Sequence, residues 1–553
     1  MTDEAEARIE EIIKGAELYG ASDNSDRNPT QPRVLVDKRN PHRTVAALRD
    51  VIAERGSLYD RGIPVRLVRD RMHGGMQARP VTADAVVLLA HQICRPYVKR
   101  VGNDATADAD AAFPLRMASM YLDWIGEWQL PVLNGIASAP ILGESGSIRS
   151  TSGYDAGTGF WLERVPDVAP LVPFRPTRSD AEQALLRIRH QFRTICFGDA
   201  PLTVEAGLFE AVVDRSLAPG KDESSFLVAL LTAICRPSLP LAPAILIRAP
   251  SMSGAGSGKG LLARCLSLVA FGREPFAVTS GGSSQELEKR IASELVAGGP
   301  TLFLDNINDR ALRSDLLASA ITERAARVRV LGKSEMVSLN ASMLVMLTGN
   351  GLTVAEDLAR RFIVIELDPK AEDPEARVFT FDLQADVIQR RKQLLADNLT
   401  IWRWGRLLGN ALESGRALGS FGAWSRWVRD PLLALGCCDP VLRTSESKER
   451  DARRQERART YMLWARHHGS RPVTADKLHE EIKAALDPQA RGRQFLASEV
   501  ERLTGVRIAG MVMTRQKGGH WSAATYALIT SDERSMHREH GGHRPEPEGS
   551  EDA

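Results

Sequence analysis

At 553 residues, with 43% hydrophobic and 26% charged residues, the chain is too long for one hydrophobic core and has the composition of a folded globular protein. At about 100 to 200 residues per domain, roughly three or four domains are expected. The formal net charge of +2 says nothing about partners by itself, and no apolar run approaches the ~18 residues needed to cross a bilayer.

The start MTDEAEARIEE is acidic and lacks the basic and apolar regions of a signal peptide, so a cytoplasmic protein with no membrane partner is expected. Cys94, Cys196, Cys235, Cys265, Cys437 and Cys438 form no disulfide framework and no CxxC pair, which predicts reduced, buried thiols. The spacing of Cys437 and Cys438 to His467 and His468 matches no common zinc site.

Residues 1–32 are polar and rich in chain breakers, which predicts a flexible leader. From Arg33, RVLVDKRN alternates like a strand, TVAALRDVIAER has helical periodicity, and LYDRGIPVRLVRD returns to a strand pattern around Gly62 and Pro64. With the Gly/Ser-rich strands and turns of 130–163, this predicts an α+β domain over 33–170. A helical connector is expected over 171–221, and SSFLVALLTAICR reads as a buried helix.

Next comes APAILIRAPSMSGAGSGKGLLARCLSLVAFG, an apolar strand, a Gly/Ser loop and a helix. That is the context a phosphate loop requires: Gly254, Gly256, Ser257, Gly258 and Gly260 can turn backbone N–H groups onto phosphates, and Lys259 reaches the β and γ phosphates. The match to the full pattern is imperfect, with Ser253 for Gly and Gly260 for Ser or Thr, and a Gly-rich turn without a ligand is the competing reading. After the amphipathic QELEKRIASELVAG, the strand of PTLFLDNIND ends on Asp305, where a carboxylate can hold Mg2+ through water. RVRVLGKSEMVSLN predicts a hairpin with Gly332 and Lys333 near its tip, and ASMLVMLTGN a strand ending in Thr348 and Asn350, a place from which a polar residue can orient water. DLARRFIVIELDP sets Arg360 and Arg361 before one more strand, within reach of a neighbouring subunit's nucleotide.

With these elements in this order, the chain resembles superfamily 3 helicases and, more closely, the helicase half of poxvirus-type primase-helicases of phages, plasmids and integrated elements. GYDAGTGFWLE and GSFGAWSRWVRDPLLALGCCDP resemble blocks that flank this ATPase in mobile-element proteins. The resemblance implies an α/β fold with an AAA+ P-loop ATPase core over 222–370 and ATP with Mg2+ as cofactors. It implies Lys259 as the loop lysine, Asp305 as the magnesium carboxylate, Asn350 as the sensor, Arg361 as the arginine finger with Arg360 its nearest rival, and Lys333 as the pore lysine on single-stranded DNA. Asn306 stands where many AAA+ proteins have a water-activating glutamate, with Asp309 or Glu294 as substitutes only if the fold brings them close. No primase carboxylate triad is seen in the first 200 residues.

A helical lid or connector is expected over 371–445 and a C-terminal winged-helix domain over 446–530. There the charged run ESKERDARRQERAR is followed by helices in TYMLWARHHG, TADKLHEEIKAAL and GRQFLASEVERLTG, with Thr474 a candidate N-cap, then by VRIAGMVMTRQ and WSAATYALIT as a strand pair. Arg491, Arg493, Arg502, Arg507, Arg515 and Lys517 outnumber Glu499 and Glu501, which suits duplex DNA phosphates or, alternatively, protein docking. Residues 531–553, with His537, His540 and His543, read as a disordered tail. The expected function is a ring-forming, ATP-driven DNA helicase or replication-initiation motor of a mobile element, a homo-oligomer with single-stranded DNA in its pore. The alternative is a nucleotide-switched DNA-binding or loader protein with little hydrolysis. A small-molecule kinase is disfavoured, because phosphoryl transfer to a metabolite needs neither the hairpin nor the paired arginines.

Overall fold

The computed structural model describes residues 31–530 except 71–73, 102–105, 209, 250–255, 280–282, 308–313, 330–335, 353–359, 372, 416–417, 443–451 and 517–522. It opens with β1 (Arg33–Leu35), α1 (Pro41–Arg55), β2 (Leu58–Asp60), β3 (Pro64–Arg69), β4 (Met76–Pro80), α2 (Ala83–Ile93), β5 (Arg95–Val101), β6 (Thr106–Asp110) and α3 (Leu115–Leu122). Asn40 caps α1 by accepting from the Arg43 N–H, and Pro41 follows at the first helical position, where a missing N–H costs nothing. The helical spacing of Val45, Leu48, Val51 and Ile52 buries one face of α1 against Val86, Leu89, Met117 and Tyr121. One sheet runs β1-β5-β6 and a second runs β2-β3-β4. The run LYDRGIPVRLVRD is a hairpin, with Gly62 at φ 73 turning the chain between β2 and β3.

Short strands follow: β7 (Gly135–Ala137), β8 (Ile141–Leu142), β9 (Ile148–Arg149), β10 (Gly153–Asp155) and β11 (Phe160–Leu162). A capping box of Thr177 and Asp180 starts α4 (Arg178–Gln191), which leads through β12 (Leu202–Val204) and β13 (Ala211–Val213) to α5 (Lys221–Cys235). Every residue of α5 from Asp222 to Cys235 is buried: from Phe226 onward the run is apolar but for Thr232 and has no polar face, and Glu223 at its start pairs with the buried Arg189.

The central layer is a five-stranded parallel sheet built from β14 (Ala244–Ala249), β15 (Ala277–Val278), β16 (Thr301–Leu304), β19 (Leu344–Asn350) and β20 (Phe362–Glu366), in the order β15-β16-β19-β14-β20. Between its strands lie α6 (Lys259–Phe271), α7 (Ser284–Ala297), α8 (Asp315–Thr322) and the antiparallel hairpin of β17 (Ala325–Arg329) and β18 (Met336–Asn340). Both faces of the sheet are covered, so β14, β19 and β20 are apolar along their length rather than alternating. The long α9 (Leu383–Leu408) packs on α4 and α6, and the helical stretch 422–434 seals it, with Trp424 Nε1 donating to Thr232 Oγ1 at 2.8 Å. One apolar cluster reaches from Ile63 to Val441, so packing continues across the expected boundaries at 170, 221 and 370. Arg61 ties the β2-β3-β4 sheet to the central layer: it is buried and donates to the carbonyls of Leu295 and Val296 in the last turn of α7.

A separate core gathers Tyr461, Trp464, Leu478, Ile482, Val500, Met513, Tyr526 and Leu528. Around it lie α10 (Ala452–His467), β21 (Val473–Thr474), α11 (Glu480–Leu486), α12 (Arg493–Arg502), β22 (Arg507–Ile508), β23 (Met511–Gln516) and β24 (Thr525–Thr530), with sheet order β21-β24-β23-β22. Two expectations are corrected here. Thr474 caps no α-helix, because a 3-10 turn follows it and the helix starts only at Glu480, with the His479 side chain accepting from the Glu481 N–H. VRIAGMVMTRQ is two strands, since Ala509 and Gly510, at φ 50 and φ 76, turn the chain back on itself.

Candidate functional site

Parallel pairing sets the carboxyl ends of three strands side by side: Ala249 lies opposite Asn350, Ile247 opposite Thr348, and Leu304 opposite Leu347. β14 takes its place between β19 and β20 while the chain leaves it for β15 at the far side, so the strand order reverses there. A ligand crevice is expected outside the carboxyl ends at such a reversal.

The segment after β14 enters the described residues again at Gly256. Gly256 and Gly258 have φ 67 and φ 84, a region that disfavours any residue with a Cβ, and Gly258 is the N-cap of α6. The helix therefore begins at Lys259, and its first N–H groups have no partner within the helix. Lys259 Nζ donates to Ser257 Oγ at 3.0 Å. Burial holds its ammonium below the usual lysine range, while the nearby Asp305 and Cys196 pull it back up. Gly260 is helical and places no hydroxyl on this turn. Gly254 lies outside the described residues.

Asp305 follows the last residue of β16, and its Oδ1 accepts from the Thr348 hydroxyl. The same hydroxyl accepts from the Asn306 N–H at 2.9 Å, so one buried oxygen bridges two strand ends. Asn306 itself is exposed and sits at φ 56, a conformation asparagine tolerates better than glutamate does, which gives a local reason for its presence. Asn350 ends β19, half-buried on the same edge. Glu294 does not join them: it lies in the last turn of α7, which feeds the amino end of β16, and burial raises its pKa. Asp309 is outside the described residues.

Arg360, exposed, and Arg361, half-buried, precede β20. The Ala244 N–H donates to the Arg361 carbonyl at 2.9 Å, fixing both arginines at the amino edge of the sheet. Six residues of β14 separate that edge from the phosphate loop, roughly 20 Å at ~3.3 Å per residue. No arginine side chain spans such a distance within one subunit.

A cavity of about 260 Å³ opens beside Gly256–Gly258, lined by Thr194, Ile195, Cys196, Leu261, Phe379 and Phe381 among others. Its wall is braced by the Cys196 thiol donating to the Ser257 carbonyl at 3.4 Å and by backbone pairing of Asp368 N–H with the Cys196 carbonyl. The Arg193 guanidinium lies 5.2 Å over the Phe381 ring and that of Arg377 4.8 Å over Phe379. Sequence reasoning gave no role to Thr194, Ile195, Arg193, Arg377, Phe379 or Phe381. The one local signal was the alternation Arg377, Phe379, Phe381, an apolar and aromatic edge inside a polar connector.

Away from this site, Arg502, Arg507 and Arg515 are exposed on the C-terminal unit. Arg502 pairs with Glu499 and Arg515 with Glu501, so part of the expected basic face is neutralised by neighbours. Lys333 and Lys517 lie outside the described residues.

No protein-family model and no curated protein matches the chain. Among solved structures, an apo form of the NrS-1 C-terminal region matches 88% of this chain and 98% of that chain, at 12% identity and TM-score 0.32. The active helicase Cch of SCCmec type IV matches 87% and 98%, at 9% identity and TM-score 0.31. JCV helicase matches 42% of this chain and 61% of that chain, at 14% identity and TM-score 0.20. Two of the three are thus described as helicases, at similarities too low to carry an argument about this chain. Among the described residues no helix is long and apolar enough to cross a membrane.

Proposed function

We propose that the chain is an ATP-driven motor on DNA, an AAA+ protein of superfamily 3 type, and that its active form is a ring encoded by a mobile element. The observation that supports this best is the division of charged groups between the two edges of the central sheet. Lys259 and Asp305 sit at the carboxyl edge, Arg361 at the amino edge. A single subunit then holds phosphates but cannot complete the charge of the transition state, and a head-to-tail neighbour can.

In this reading Gly256, Ser257, Gly258, Lys259 and the first turn of α6 hold the phosphates, and the 260 Å³ cavity takes the base against Phe381 and Leu261. The fit to a nucleotide rests on the left-handed glycines, the half-buried lysine and the adjoining cavity. Asp305 would hold Mg2+, which would neutralise phosphate charge at this edge. Thr348 keeps the Asp305 carboxylate in place, and Asn350 is the sensor that orients water. Lys333 is assigned to single-stranded DNA in the pore, and Arg502, Arg507, Arg515 and Lys517 on the C-terminal unit, read as a winged helix, to duplex phosphates.

The runner-up is a loader in which nucleotide only switches assembly, and Gly260 and Asn306 are the residues that favour it. Steady-state ATP turnover with and without single-stranded DNA separates the two. The motor reading expects DNA-stimulated turnover and loss of ATP binding in Lys259→Ala. Tight ATP binding without turnover supports the loader, and undiminished ATP binding by a folded Lys259→Ala protein refutes the phosphate loop itself.

A further inference from the structure

The C-terminal unit contains a side-chain cluster that the motor reading does not use. His467 ends α10, His479 precedes α11 as its N-cap, and Glu481 lies in the first turn of that helix. The two imidazoles stack with centroids 3.6 Å apart and planes 7° from parallel. His467 Nε2 lies 3.0 Å from Glu481 Oε2, and one ligand atom from each of the three residues falls within 4.8 Å of the others.

Each member is held by the core beside it. Trp464 lies one turn before His467, Leu478 immediately precedes His479, and Ile482 immediately follows Glu481, and all three are buried in the same cluster. His468 Nε2 accepts from the His479 N–H at 3.1 Å, which fixes the backbone between the two rings. Stacked imidazoles make no hydrogen bond to each other across their faces, and they repel if both become cationic. Two ring nitrogens and a carboxylate within 4.8 Å of one another are the donor set of a borderline divalent ion, and a rotation of the exposed His479 ring out of the stack would turn both nitrogens toward one ion.

We propose that His467, His479 and Glu481 bind Zn2+, with water completing a tetrahedral shell, and that the ion clamps the end of α10 to the start of α11. The metal takes the place of the proton between His467 Nε2 and Glu481. His479 binds through one ring nitrogen, and the contact put at stake by its tautomer is the 3.3 Å one from the Glu481 N–H to its Nδ1. None of the six cysteines takes part: Cys437 is buried, and Cys438 Sγ donates to the Pro219 carbonyl in the other core. This inference does not depend on the motor reading.

The test uses the full chain carrying His537→Ala, His540→Ala and His543→Ala, so that the tail histidines cannot contribute. Zn2+ binding is measured by competition with a chromogenic chelator, and Co2+ binding by its visible spectrum. One Zn2+ per chain is expected, with a dissociation constant on the order of 1 µM or tighter, together with the absorption of tetrahedral Co2+. His467→Ala/His479→Ala should abolish both signals, and Glu481→Gln, the milder change in case the double variant unfolds, should weaken binding by about 10-fold or more. Absence of Zn2+ uptake by the folded parent overturns the proposal. So does equal uptake by the parent and folded Glu481→Gln.

Discussion

Thr348→Val isolates one oxygen whose loss the site should feel. Thr348 is 1% exposed, and its hydroxyl donates to Asp305 while accepting from the Asn306 N–H at 2.9 Å. Valine keeps the shape of the side chain, so the perturbation is the removal of both bonds and little else. A hydrogen bond to a charged group contributes about 1.5–3 kcal/mol. If that energy serves to hold Asp305 on the metal, turnover falls by roughly 10- to 150-fold, at 1.36 kcal/mol per decade. Leaving the Asn306 N–H without its acceptor costs a further ~1 kcal/mol of stability, at the low end because that group is only half-buried. The assay is steady-state ATPase at varied Mg2+ beside a direct measurement of ATP binding. Lower kcat and a raised Mg2+ requirement, with ATP binding retained, are expected for Thr348→Val, and Thr348→Ser, which restores the hydroxyl, should recover the rate. A valine variant as fast as the serine variant would refute the positioning role.

Gly260→Thr has room, since a Cβ there meets the Arg264 side chain at 3.5–3.8 Å, an ordinary contact, and it should raise turnover by adding a metal ligand along with about 0.3 kcal/mol of helix stability. Unchanged or lower turnover would mean that this loop uses another metal arrangement. Phe381→Ala removes a wall of the cavity, and loss of stacking at about 0.5–1.5 kcal/mol predicts a roughly 2- to 10-fold rise in KM for ATP with kcat unchanged. An unchanged KM would put the base elsewhere. Lys333→Ala should uncouple ATPase from unwinding and spare duplex binding, whereas Arg507→Ala with Arg515→Ala should weaken duplex binding and reduce its salt dependence; the opposite pattern would sink that division. Arg361→Ala and Lys259→Ala proteins should each be inactive, yet regain some ATPase when mixed, and no recovery in mixed oligomers shown to have formed would count against a shared site.

The parts of this fold that were readable from the sequence are those in which a local constraint leaves a local mark. Gly256 and Gly258 are glycines because their backbone has positive φ, and that requirement is visible as letters. The apolar run of β16 stops at Asp305 because a strand buried on both faces cannot carry a charge until it emerges. The apolar periodicity of α1 and the uniformly apolar stretch of α5 are of the same kind. Errors occurred where a turn was made without a strong marker. Ala509 at φ 50 is an unexpected residue for a reversal, so VRIAGMVMTRQ read as one strand, and Thr474 has the chemistry of a cap but is followed by a 3-10 turn.

What the sequence hid depends on pairings between distant residues. The Thr348 hydroxyl meets Asp305 only because β16 and β19 are neighbours in a particular register, although the two residues are 43 positions apart in the chain. The cavity wall joins Thr194–Cys196 to Phe379–Phe381 through the docking of α9 and of the segment that follows α4, and no periodicity reports that meeting. The same reasoning gives Arg361 its interest. In the sequence it stands eleven positions after Asn350, close enough to suggest one site, yet the chain between them must return from the carboxyl edge to the amino edge before β20 can run parallel to β14. Proximity in sequence therefore becomes the full height of the sheet in space, and Arg361 stands at the edge opposite Lys259, the placement that the proposed site shared between subunits requires.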